Sequence, residues 1–129
     1  MYRILIIDDD PKICFTIKLW IETDGGKVVR VHTHARLGLI SALRNRPDLI
    51  ILDYEMPGLD GLSVLEKLGR WKRTCFIPVI MLTANLEPKT QEAAIYHYAE
   101  GYLTKPVSRE ILLECVNQAL DTRYQGESA

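Results

Sequence analysis

Leu49-Ile50-Ile51-Leu52-Asp53 is four apolar residues in a row, stopped by a carboxylate. A continuous apolar run of this length suits a strand buried on both faces, as in a parallel sheet; a half-exposed strand would alternate. The pattern repeats on either side of it. Ile4-Leu5-Ile6-Ile7 stops at Asp8-Asp9, Val79-Ile80-Met81-Leu82 at Thr83, and the weaker Gly101-Tyr102-Leu103-Thr104 at Lys105-Pro106. Parallel strands all finish along one edge, and open α/β sheets bind ligands in the crevice beyond that edge. The spacing predicts that three carboxylates, a hydroxyl and an ammonium, distant in sequence, meet there.

Helix-period segments separate the runs. Asp10-Pro11 reads as an N-cap followed by proline at the first helical position, and Ile13, Ile17, Trp20 and Ile21 then recur at helical spacing until Asp24-Gly25-Gly26. Val28-Val29-Arg30-Val31 is a second strand, expected at an edge because it is short and interrupted by charge. Further helices are expected over Ala35–Asn45, Leu62–Gly69, Pro88–Tyr98 and Ser108–Thr122, the last burying Ile111, Leu112, Cys115, Val116, Ala119 and Leu120. Alternating strands and helices imply β-α-β units with right-handed crossovers. Residues 1–123 are expected to form one domain, and the polar, aperiodic 124–129 a frayed tail or the start of a linker.

Composition supports one ordinary globular domain: 129 residues, 47% hydrophobic and 26% charged. A net charge of −1 gives no global attraction to nucleic acid or anionic membranes. The small basic clusters, Arg44 with Arg46 and Lys72 with Arg73, are read as solvated helix ends. Three cysteines without C-x-x-C spacing suit a reduced compartment, with the thiols acting as small apolar residues. The first strand starts almost at Met1, leaving no room for a signal peptide, and no apolar stretch is long enough to span a bilayer. A cytoplasmic location is the expectation.

Gathered carboxylates need a cation. Two unit charges about 4 Å apart repel by roughly 4 kcal/mol at an effective dielectric near 20. Oxygen-only ligands select a hard divalent ion, and magnesium takes one or two carboxylates and completes its shell with waters and phosphate. His32, His34 and His97 lack zinc-site spacing with the cysteines, and Asp8-Asp9-Asp10-Pro11 does not alternate as an EF-hand loop does. Lys105 and Thr83 supply an ammonium and a hydroxyl for the oxygens of a phosphoryl group, whose transfer is mainly positioning and charge neutralisation. Asp53 is the candidate nucleophile. Each piece also has an ordinary reading. Asp10 caps a helix, Asp53 before Pro57-Gly58 suits a turn, Thr83 suits a cap, most lysines lie at the surface, and His97 with Tyr96 and Tyr98 suits helix surface and core. Only jointly, at four strand ends, do those readings fail.

The ordered set Ile4–Pro11, Pro47–Gly61, Pro78–Ala84 and Gly101–Pro106 resembles the receiver domain of two-component response regulators. The intervals fit as well: 44 residues from Asp9 to Asp53, 30 to Thr83 and 22 to Lys105. The resemblance spans residues 3 to about 121. It implies a flavodoxin-like (βα)5 fold, a five-stranded parallel sheet in order 2-1-3-4-5 with helices on both faces.

By the same resemblance, Asp53 accepts a phosphoryl group from a phosphohistidine on a sensor histidine kinase or a histidine phosphotransfer protein. Asp9 and Asp53 bind Mg2+ directly (Mn2+ also fits), Asp8 through water and Glu55 through its carbonyl. Lys105, preceding a cis proline bond, and Thr83 contact the phosphoryl oxygens, as does the Ala84 amide. Glu55 and Asn85 tune dephosphorylation. Thr83 and Tyr102 form a two-state switch that biases the surface of the fourth helix, fifth strand and fifth helix. The chain is then no turnover enzyme, though it takes part in its own phosphorylation and dephosphorylation. A phosphorylation-dependent homodimer and an effector domain beyond this segment are open possibilities. Three rivals are weaker. A haloacid-dehalogenase-type phosphatase places its nucleophile on the first strand; a flavodoxin-like cofactor binder would not line its phosphate loop with Asp8-Asp9-Asp10; a pseudo-receiver needs no intact acid, threonine and lysine set.

Overall fold

The computed structural model describes residues 1–84, 87–96 and 99–128, with 122–128 in backbone only. Five strands alternate with five helices: β1 (Tyr2–Ile7), α1 (Pro11–Asp24), β2 (Lys27–His32), α2 (Ala35–Asn45), β3 (Leu49–Asp53), α3 (Gly61–Arg70), β4 (Val79–Thr83), α4 (Pro88–Tyr96), β5 (Gly101–Thr104) and α5 (Arg109–Ser128). The strands form one parallel sheet in the expected order β2-β1-β3-β4-β5, with β2 at an edge.

Side-chain alternation along the buried strands feeds two cores. Ile4 and Ile6 of β1 and Leu49 and Ile51 of β3 pack with α1 and α5, while Leu5, Ile7, Ile50 and Leu52 pack with α2, α3 and α4. β3 and β4 are buried at every position, which explains their uninterrupted apolar runs. Local chemistry sets the helix starts. Asp10 accepts from the Lys12 and Ile13 amides ahead of Pro11, and Asp60 accepts from the Ser63 amide at 2.8 Å.

Three expectations change. Ile111, expected on the buried face of α5, is exposed: the stripe that packs on the sheet runs Leu112, Leu113, Val116, Ala119 and Leu120, which leaves residue 111 on the outer side. α5 continues to Ser128 rather than ending near Thr122: Arg123, Tyr124 and Gln125 tolerate a helix, and the packed turns before them have already met the nucleation cost. Cys75 is exposed, whereas Cys14 is buried and Cys115 half-buried, all three as free thiols. Cys75 follows α3 on a surface turn, so only Cys14 and Cys115 serve as apolar filling. The described part of α4 ends at Tyr96; His97 and Tyr98 lie outside the described residues.

Candidate functional site

β1 and β3 are neighbours, in register from Ile4 with Leu49 to Ile7 with Leu52, so their terminal carboxylates emerge side by side. The β1–β2 ladder runs one bond further, from the Asp8 amide to the His32 carbonyl at 3.2 Å. This fixes Asp8, 1% exposed, at the sheet edge; Asp53 is 4% exposed and Asp9 is exposed. One carboxylate oxygen from each of Asp8, Asp9 and Asp53 lies within 4.8 Å of the others.

Lys105 reaches this group from the far side of the sheet. Its Nζ donates to Asp8 Oδ2 at 2.9 Å and lies 3.2 Å from Asp53 Oδ1. Its backbone is anchored as well: the Lys105 amide donates to the Thr83 carbonyl at 2.8 Å, and the following bond to Pro106 is cis. The Asp10 amide donates to Asp8 Oδ1 at 2.9 Å and the Glu55 amide to Asp53 Oδ1 at 3.4 Å.

The electrostatics are unbalanced. Burial, then the charge of Asp8, pushes the Asp53 carboxyl up from 3.8 to about 7, against the opposing pull of Lys105. Burial works against the Lys105 ammonium too, but its hydrogen bond to Asp8 and the charges of Asp8 and Asp53 outweigh it and raise its pKa. Burial followed by Asp8 and Asp10 pushes the Cys14 thiol up to about 12. One ammonium therefore does not compensate three carboxylates. The oxygen-only donor set with a remaining negative charge fits a hard divalent cation.

The other expected residues fall as follows. Thr83, wholly buried, ends β4 beside β3, and Ala84 follows it at the surface. Glu55 meets Asp53 through its amide while its side chain is exposed. Tyr102 is half-buried on β5 against the α2, α3 and α4 core; burial and then the nearby Tyr54 raise its phenol. Asn85 lies outside the described residues.

Two contacts escaped the sequence reading. A Cβ on Gly61 would sit 2.2 Å from the Asp53 carbonyl oxygen and 2.6 Å from Tyr54 Cα, so only glycine lets α3 start against the end of β3. Its amide also donates to the Tyr54 carbonyl at 2.7 Å. The sequence reading began this helix at Leu62 and gave no sign that Gly61 lies against Asp53. The Cys14 thiol donates to the Asp8 carbonyl at 3.2 Å, a contact with no sequence signal.

Comparison with known proteins matches this arrangement. The family model described as the response regulator receiver domain matches residues 4–117. Protein PilH of Pseudomonas aeruginosa is 33% identical over 120 residues, 93% of this chain and 98% of that protein. The DNA-binding dual master transcriptional regulator RpaA of Synechocystis is 39% identical over 93% of this chain, which spans 49% of that longer protein. The crystal structure of a CheY-like response regulator receiver domain protein from Methanospirillum hungatei superposes with a TM-score of 0.92 at 28% identity, covering 98% of each chain.

Proposed function

The chain belongs to the response regulator receiver domain family of two-component signalling, and from that premise we propose that Asp53 is its phosphoacceptor. The observation that carries this reading is the buried Asp53 carboxylate, held 3.2 Å from Lys105 Nζ beside two further acids.

In the proposed step an Asp53 carboxylate oxygen attacks the phosphorus of a phosphohistidine on a sensor kinase or phosphotransfer protein. The new P–O bond replaces the P–N bond, and the departing imidazole takes up a proton. Asp8, Asp9, Asp53 and the Glu55 carbonyl would hold Mg2+, or Mn2+, which supplies neutralisation of the charge on the transferring group. Lys105 and the Ala84 amide donate to the phosphoryl oxygens, and Thr83 turns its hydroxyl towards them. Tyr102 then fills the space Thr83 leaves and biases the α4, β5 and α5 face, where Ile95, Tyr96 and Ile111 are exposed. Glu55 and Asn85 set the phosphoryl lifetime. Because the adduct forms on the protein's own side chain, the domain acts as a switch rather than a turnover enzyme.

α1 supports a partner arriving at this edge. Phe15 and Leu19 are exposed on it, and a groove of about 450 Å³ between Ile13, Trp20 and Pro106 opens beside Lys105. A helical partner presenting a phosphohistidine suits that surface. Residues 1–123 form the receiver in this reading and 124–129 the way out of it, towards any effector elsewhere in the protein. Among the described residues no helix is long and apolar enough to cross a membrane, in keeping with a cytoplasmic site of action.

Incubation with a small acyl-phosphate donor and magnesium tests the reading. A single phosphoryl group should appear by intact mass, and none on Asp53→Asn or without the metal. Labelling of Asp53→Asn equal to wild type would remove Asp53 from the role. Sizing chromatography of the same samples reads out phosphorylation-dependent dimerisation.

A further inference from the structure

At the opposite end of the sheet a groove of about 440 Å³ runs along the β2 edge. Three cations line it, Arg3 of β1, Lys18 of α1 and Arg30 of β2, and none of its lining residues is acidic. In a chain of net charge −1, that is a local excess of positive charge. Each cation comes from a different element, so the fold gathers them. Arg3 is partly fixed in advance, since its guanidinium donates to the Arg46 carbonyl at 2.8 Å.

The floor is polar on one side and apolar on the other. Ser41, 5% exposed, faces the groove from α2, and Asn45 Nδ2 donates to its Oγ at 3.3 Å and its carbonyl at 3.1 Å. Leu5, Val28 and Pro47 supply the apolar wall. Two acids lie close by, and both are engaged by backbone amides: Glu22 accepts from Val29 at 2.9 Å and Asp48 from Arg3 at 2.8 Å. Glu22 covers the free edge of β2 and Asp48 the start of β1; set against the three cations, these two charges still leave the groove net positive.

We propose that this groove binds a small phosphate-bearing molecule with an apolar or planar body, of about mononucleotide size. Its volume falls within the range of small-molecule sites. Arg and Lys together offer the charge-assisted donors that a phosphate dianion selects, and the apolar wall accommodates the rest of the ligand. The site lies at the start of β1 and β3, whereas Asp8 and Asp53 stand at their ends, so this inference is independent of the phosphoacceptor reading.

Calorimetry and amide chemical-shift mapping on the intact chain test it, with AMP, inorganic phosphate and adenosine as probes in metal-free buffer. AMP should saturate, shift the amides of Arg30 and Ser41, and bind more tightly than either fragment. The substitutions Lys18→Gln and Arg30→Gln together should weaken AMP by roughly tenfold or more, as expected for lost hydrogen bonds between charged groups. Asp53→Asn should leave AMP binding unchanged. The proposal is overturned if no phosphate probe saturates at millimolar concentration, if the double variant binds AMP as wild type does, or if the shifts centre on Asp8 and Asp53. Equal affinity for AMP and inorganic phosphate would overturn the apolar wall's part in it.

Discussion

Asp53 stands where burial and the Asp8 charge oppose its ionisation, and this makes folding stability depend on pH. Its carboxyl titrates at about 7 in the folded chain against 3.8 ordinarily. Between those values the folded state keeps a proton that the unfolded chain has released, so stability declines as pH rises from 3.8 to 7, and the penalty is complete above that. In metal-free buffer above pH 7, Asp53→Asn should therefore be more stable than wild type, by about 1–3 kcal/mol. Below pH 3.8 the difference should vanish. Urea melts with a chelator at both extremes check this, and an equal or lower midpoint for the variant above pH 7 would mean that Lys105 already compensates the charge. Gly61→Ala tests the second residue. A methyl group forced against the Asp53 carbonyl must move α3 or β3, with an expected cost of about 2–4 kcal/mol by denaturant melts. A fully stable Gly61→Ala would show that the loop yields without strain.

Between elements, a polar clamp joins α1, β2 and α5 at the end of the sheet away from Asp53. The Lys27 ammonium, its side chain only 6% exposed, meets Asp24 Oδ2 at 2.7 Å and the Gly25 carbonyl at 3.1 Å. Asn117 of α5 donates to the same Asp24 oxygen at 3.2 Å. The Lys27 hydrogen bond, then that of Asn117, holds the Asp24 carboxyl below its ordinary 3.8. For a depressed carboxyl the contribution is present above the unfolded value and disappears as pH falls through the folded one. Asp24→Asn should lower the urea midpoint at neutral pH, with the gap to wild type closing in strong acid. A gap constant across that range would show that geometry, not charge, carries the effect. Asn117→Ala should lower the urea midpoint by less than Asp24→Asn does, since it removes one solvent-exposed hydrogen bond and leaves the Lys27 pair in place.

For the molecule as a whole, the uncompensated acids predict that a divalent cation stabilises the fold. Anything that binds the folded state alone adds RT ln(1 + [L]/Kd), about 2.7 kcal/mol at a hundredfold excess over Kd. Magnesium should raise the melting temperature of wild type but not of an Asp9→Asn, Asp53→Asn double variant. An equal rise in both would place the ion elsewhere. Strand identity, the parallel class, the edge position of β2 and the gathering of Asp8, Asp9, Asp53 and Lys105 were all legible in the sequence. Strands buried on both faces must be written as unbroken apolar runs, and polar residues can resume only where those runs leave the sheet. The ordered motifs then supplied strand order and the family. Only the folded chain decided the rest: that one lysine serves both Asp8 and Asp53, that Gly61 touches the Asp53 carbonyl, that α5 runs on to Ser128, and that Arg3, Lys18 and Arg30 line one groove. All but the length of α5 depend on distances between elements far apart in the chain, which hydrophobic periodicity does not encode, because it records which side of an element faces inward and not which neighbour it meets.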